Sequence, residues 1–110
     1  MLFRSSGLGQ LANLRVARRQ VASTPYGEPS AALTFGTIRN TEVIFLARHG
    51  DGHTIPPHEI NYRANIWALH SHRAADVVAV ASVGGIRSDL GPGTLIVRSE
   101  ERRVGKECRL

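Results

Sequence analysis

Between Val43 and Leu69 the chain passes through three regimes in succession, and their order restricts the folds open to it. Val43-Ile-Phe-Leu-Ala47 is an apolar run with the β-branched and aromatic bias of a buried strand. It stops abruptly at Arg48-His49-Gly50. A polar loop follows, stiffened by Pro56-Pro57, because adjacent prolines fix φ and cannot enter a helix interior. Asn61 then offers an N-cap for a helix expected to run to about Ala75, with Ala64, Trp67 and Leu69 on one side and Ile60 leading in. A strand that ends in a cation before a loop and a helix is how an α/β sheet presents anion-binding side chains.

The flanking sequence extends this α/β pattern. Leu14–Val21 reads as a partly exposed strand, and Pro25-Tyr-Gly-Glu-Pro29 turns the chain after it. Ala31–Gly36 and Glu42–Arg48 are apolar stretches joined by Thr37-Ile-Arg-Asn-Thr41, which suits a hairpin-like connection. Asp76-Val-Val-Ala-Val-Ala81 is almost continuously apolar, as expected of a strand in a sheet covered on both faces. Ser82-Val-Gly-Gly85 is read as a tight turn, and Gly91-Pro-Gly93 as a turn into a further strand starting at Thr94–Val97. The sheet calls for more strands and covering helices than the chain provides, so the expectation is one incomplete domain.

The two ends read differently from the middle. Lys106 is the only lysine and Cys108 the only cysteine, and both lie in Arg98-Ser-Glu-Glu-Arg-Arg-Val-Gly-Lys-Glu-Cys108. The bases AGA TCG GAA GAG, a sequencing adapter, encode Arg-Ser-Glu-Glu. Their reverse complement encodes Leu-Phe-Arg-Ser, which is Leu2–Ser5. Residues 1–5 and 98–110 are therefore read as adapter-derived and set aside from fold reasoning. Residues 6–97 are read as the N-terminal part of a longer domain.

Setting the ends aside changes the charge argument. The whole chain has 14 basic and 9 acidic residues, a net +5 and a pI near 10.7. Six of those basic residues (Arg4, Arg98, Arg102, Arg103, Lys106, Arg109) and three acids (Glu100, Glu101, Glu107) lie in the ends, which leaves a net near +2. No Lys/Arg run with interleaved aromatics remains, so nucleic-acid binding is rejected. Without cysteine, residues 6–97 have neither a thiolate nucleophile nor a zinc-thiolate site. No apolar run approaches the ~20 residues of a membrane helix. Residues 1–27 lack acids and carry Arg4, Arg15, Arg18 and Arg19, which superficially matches a transit peptide. Reading Leu14–Val21 as a strand argues instead for a cytoplasmic protein.

Taken whole, the run from Val43 to Leu69 resembles the methylthioadenosine and methylthioinosine phosphorylases, within the trimeric purine nucleoside phosphorylases. The resemblance implies the N-terminal portion of a nucleoside phosphorylase-like fold, a mixed twisted sheet covered by helices. It also implies phosphorolysis of 5′-methylthioadenosine or its inosine analogue to free purine and 5-methylthioribose 1-phosphate. Inorganic phosphate is then the co-substrate, with no cofactor or metal, and the full-length protein is a homotrimer.

The family binds phosphate with an Arg-His pair, matched here by Arg48 and His49. A guanidinium is a planar fork suited to phosphate oxygens, and an adjacent imidazole can donate a further bond. Ser6-Gly7-Leu8-Gly9 resembles the carboxyl half of the family's glycine-rich loop, which makes Ser6 a phosphate ligand by carry-over. At the family's third phosphate-binding turn stand Ala81 and Ser82. Ala81 departs from the pattern, since a side-chain donor is usual there, and Ser82 can supply a hydroxyl or only its N–H.

Val83 and Gly84 are assigned near the substrate, and Gly84-Gly85-Ile86 resembles the methylthioinosine branch. His53 matches a family position close to the nucleoside, for a ribose or interface role. His58 lies in the same proline loop, and His70 and His72 are read as solvent-facing. The family's base-protonating Asp and methylthio pocket lie beyond this chain, so these residues alone are expected to be inactive. Two alternatives stand beside this reading: a histidine phosphatase using Arg48-His49-Gly50, and a noncatalytic fragment. The phosphatase leaves Thr54–Trp67 unexplained, and two strand-like segments precede its motif where that family has it after the first strand.

Overall fold

In the computed structural model, which describes residues 2–4 and 13–97, the strands form one mixed sheet in the order β2-β3-β4-β1-β5. They are β1 (Leu2–Arg4), β2 (Arg15–Gln20), β3 (Leu33–Ile38), β4 (Thr41–Ala47) and β5 (Val78–Ala79). Helix α1 (Tyr62–Ser71) lies between β4 and β5 in sequence. β2, β3 and β4 are antiparallel neighbours, whereas β1 runs parallel to both β4 and β5.

The β3–β4 hairpin is tighter than the sequence implied. Ile38 pairs with Thr41, and only Arg39 and Asn40 form the loop, with φ of 47° and 65°. Two left-handed residues in a two-residue loop match the twist of the flanking strands. Both strands therefore extend into the polar link. β2 is a strand as expected, with every residue exposed at the sheet edge. Its arginines hydrate that edge and discourage further pairing.

The core lies between α1 and one face of the sheet. Ala22, Leu33, Leu46, Ala68 and Leu69 form the buried cluster, with Phe35, Ile44 and Ala74 packed against it. Leu33 and Phe35 alternate with Thr34, and Ile44 and Leu46 with Phe45, so the four side chains share a face. Full burial of each large aliphatic contributes about 1.5–3 kcal/mol. On α1 the buried positions are Ala64, Asn65, Ala68 and Leu69. Trp67 was expected inward but is 37% exposed. At 100° per residue it falls off the 64/65/68/69 stripe, and Ala68 takes the inward place.

Helix α1 also ends earlier than Ala75. His72 is its C-cap, and Arg73 follows at φ 59°. The Arg73 N–H donates to the His70 carbonyl at 2.9 Å and the Ala74 N–H to that of Leu69 at 3.3 Å. This is a Schellman closure, completed by Leu69 and Ala74 meeting in the core. An arginine occupies the position that usually takes glycine, which is why the stop was not visible in the sequence.

Further along, several expectations fail. The strand expected over Asp76–Ala81 contracts to Val78–Ala79, exposed and at the sheet edge. Among the described residues nothing packs outside it, so the apolar run has no second face to bury. Ser82–Gly85 is irregular, and the nearby turn lies at Arg87–Leu90, closed by a 3.1 Å bond. The turn at Gly91-Pro-Gly93 forms, with Thr94 N–H donating to the Gly91 carbonyl, but Thr94–Val97 is not a strand. Leu2–Arg4, set aside above, supplies β1 between β4 and β5. A ladder is made of backbone groups and does not read side chains, so a short stretch of good strand formers can take that position.

Candidate functional site

Because β1, β4 and β5 are parallel, their carboxyl ends reach the same edge of the sheet. Arg4 pairs with Ala47, and Phe3 with Ala79. The residues just beyond those ends are Arg48-His49 after β4 and Val80-Ala81-Ser82 after β5. Ser6 is two positions past Arg4 and lies outside the described residues. Convergence of strand ends at one edge is where open α/β sheets hold ligands.

Arg48 and His49 occupy the centre of a turn in which the Gly50 N–H donates to the Ala47 carbonyl at 2.9 Å. Gly50 closes it at φ 82°, buried against Ile55. Half-buried Arg48 reaches across the β1 position, its Nη1 donating to the Val80 carbonyl at 3.1 Å. That bond joins the β4 end to the residue before Ala81. A guanidinium has five donors, so one bond to Val80 leaves the fork able to take an oxyanion.

His49 is held on its other side. Its Nδ1 lies 2.8 Å from the Ile55 carbonyl, and the Ile55 N–H returns a bond to the His49 carbonyl at 2.9 Å. His53 joins this group: its ring centroid is 5.0 Å from that of His49, and its N–H donates to the Gly50 carbonyl at 3.1 Å. His53 is exposed and left-handed at φ 55°. Asp51, in the same turn, pairs with Arg19 of β2 at 2.8 Å.

The third segment is less enclosed. Ala81, Ser82, Val83 and Gly84 are exposed and irregular, and Val83 and Gly84 lie progressively farther along the chain from the Val80 tether. Exposed His58 stands 3.9 Å from Glu59, and His70 faces solvent. His72 does not. It is half-buried with its ring edge-on to Phe35 at 5.0 Å, while Arg18 lies 4.2 Å over Phe35. These residues line a cavity of about 670 Å³ near the hairpin, at the end of β4 remote from Arg48. Among the described residues no group of three or more His, Cys, Asp or Glu converges as a metal site.

Two contributors were missed from sequence. One is the Val80 carbonyl, which no side-chain pattern can show. The other is Asn65, fully buried and hydrogen-bonded to both the N–H and hydroxyl of Ser30. A signal for it existed. Asn61 and Asn65 are one helical turn apart, and an amide within an otherwise apolar stripe requires buried partners.

The chain belongs to the phosphorylase superfamily, whose model matches residues 5–104. That match runs past Val97, the end of the stretch read above as genuine. The chain is 55% identical over 74 residues to a purine nucleoside phosphorylase from Streptomyces coelicolor, covering 67% of this chain and 26% of that protein. It is 47% identical over 92 residues to a probable S-methyl-5′-thioinosine phosphorylase from Pseudomonas syringae, covering 84% and 37%. Among solved structures it resembles a methylthioadenosine phosphorylase from an antarctic soil metagenomic library. That identity is 41% with a TM-score of 0.66, covering 71% of this chain and 27% of that one. The chain thus spans between 26% and 37% of the length of these relatives. The family match removes the histidine phosphatase alternative for Arg48-His49-Gly50.

Proposed function

We propose that the chain is the N-terminal part of a methylthioadenosine or methylthioinosine phosphorylase and carries the phosphate half of its active site. The enzyme cleaves the N-glycosidic bond with inorganic phosphate and yields free purine and 5-methylthioribose 1-phosphate, in purine and methionine salvage. As the bond to the base weakens, positive charge grows on the sugar ring. A phosphate dianion beneath C1′ stabilises that charge and then bonds to the carbon. Holding both reactants side by side removes much of the entropic barrier.

The cradle is Arg48 and His49, with Ser6 and Ala81-Ser82 completing it and His53 at its nucleoside side. Val83 and Gly84 border the substrate. The observation that supports this most directly is the Arg48 to Val80 bond, which draws two of the three cradle segments together. The complete enzyme is a cytoplasmic homotrimer that needs no cofactor. The 110-residue chain lacks the base-recognition half and is inactive.

Release of adenine from methylthioadenosine, or hypoxanthine from methylthioinosine, tests this with the full-length enzyme. Base should appear only when inorganic phosphate is added, and none should appear with the 110-residue chain. Release independent of phosphate, or hydrolysis of phosphate esters instead, would sink the reading.

A further inference from the structure

The paired bonds between His49 and Ile55 fix more than the orientation of a ring. A carbonyl oxygen only accepts, so at 2.8 Å from the Ile55 oxygen the His49 Nδ1 must carry the hydrogen. In a neutral imidazole this leaves Nε2 with a lone pair and no proton to donate. Turning the ring over would set a carbon against the Ile55 oxygen and forfeit the bond. The loop resists such rearrangement, because Ile55 is bonded back to His49 and packs on buried Gly50. A neutral His49 held this way therefore presents a lone pair at Nε2, not a donor.

Among the described residues, the other charged or titratable groups around this ring are few. Arg48 precedes it, His53 stands 5.0 Å away ring to ring, and Asp51 is engaged by Arg19 from β2. A guanidinium only donates hydrogen bonds. Of the two rings, His53 is exposed and His49 is half-buried. His49 is the ring whose far nitrogen is anchored.

We infer that the anion enters with a proton. Resting on the reading that Arg48 and His49 seat an oxyanion, the bound state has His49 as imidazolium. Nδ1–H stays on Ile55 and a proton taken from solvent at Nε2 is donated to the anion. One covalent bond is exchanged: a solvent or buffer acid gives up its bond to the proton as Nε2–H forms, and the anion receives that hydrogen only as a hydrogen bond. The bound state holds one proton more than the free site and dianion, so affinity for a non-titrating dianion weakens as pH rises. On the alkaline side of the imidazole range the loss is about tenfold per pH unit, the slope of one-proton linkage.

Sulfate is the probe, since it remains a dianion throughout. Its binding to the full-length enzyme is measured by titration calorimetry at about pH 8, where an unperturbed imidazole is neutral, in two buffers of different ionisation enthalpy. The wild type and His53→Asn should each take up close to one proton per sulfate, and His49→Asn none. Sulfate binding to the wild type without proton uptake overturns the inference, whether or not His49→Asn folds. Uptake that survives in His49→Asn, or disappears in His53→Asn, also overturns it by moving the proton elsewhere. If neither sulfate nor phosphate binds, the oxyanion site itself is wrong, a distinguishable failure.

Discussion

Asn65 grips Ser30 with both ends of its carboxamide. The Ser30 N–H donates to Oδ1 at 2.8 Å, and Nδ2 donates to the Ser30 hydroxyl at 3.0 Å. The Ser30 carbonyl lies 3.6 Å from where a side chain on Gly50 would begin. Helix α1 thus braces, through Ser30, the turn that carries Arg48 and His49. Asn61 adds a parallel tie one helical turn earlier, donating to the Tyr26 carbonyl at 2.8 Å while capping Ala64.

Replacing Asn65 with leucine keeps the volume and removes both bonds. The Ser30 N–H then sits part-buried without its acceptor, and an unsatisfied buried group costs about 1–3 kcal/mol. Asn65→Leu in the full-length enzyme should lower unfolding free energy by that amount in urea, and an unchanged midpoint would show that the clamp contributes nothing.

Arg48 combines charge, a planar fork and the tether to Val80. Arg48→Ala should raise the KM for phosphate at least ~10-fold, given about 1.5–3 kcal/mol for hydrogen bonds to charged groups. Arg48→Lys restores charge without the fork and should recover only part of the loss. The KM for the nucleoside should move much less in both variants. Equal increases for the two substrates would mean general disruption and would refute a phosphate-specific role.

Arg73 occupies a left-handed position at φ 59° in the closure of α1. Glycine adopts that conformation without the Cβ penalty, which is about 1–2 kcal/mol for other residues. Arg73→Gly should therefore stabilise the protein by about 1 kcal/mol, offset in part by the greater freedom of the unfolded chain. Thermal unfolding measures the gain, and a lower Tm would refute this account of the helix stop.

Arg73 also shows where the sequence could be read and where it could not. Asn61 announced the start of α1 because its side chain makes the capping bond. The end was hidden, because the closure is a backbone arrangement imposed on an arginine. β4 was legible from its apolar run, and the turn that ends it from the abrupt change of chemistry at Arg48-His49. Trp67 misled because its three-residue spacing from Ala64 puts it beside, and not on, the buried stripe of Ala64, Asn65, Ala68 and Leu69. The strands expected over Asp76–Ala81 and Thr94–Val97 were overextended for a different reason: their apolar residues match a covered sheet, and among the described residues no layer covers them. Pairing of β1 with both β4 and β5 depends on contacts distant in sequence, which local pattern does not carry.

Gly50 separates backbone strain from crowding. Its φ is 82°, while the nearest atoms to an added Cβ, Ile55 Cδ1 at 3.4 Å and the Ser30 carbonyl at 3.6 Å, leave room for a methyl group. The penalty for Gly50→Ala should therefore be conformational, about 1–2 kcal/mol for holding an L-residue in the left-handed region. Gly52 is the natural control. It lies two residues on, does not adopt positive φ, and would place its Cβ 3.5 Å from Thr54 Cγ2. Gly52→Ala should be nearly neutral in stability. If the Gly50 strain is relieved by opening the turn from Ala47 to Gly50, Arg48 and His49 lose their alignment with Val80 and Ile55. The phosphate KM of Gly50→Ala should then rise while that of Gly52→Ala does not. Comparable stability and phosphate KM in the two variants would show that the left-handed turn does not set the geometry of the cradle.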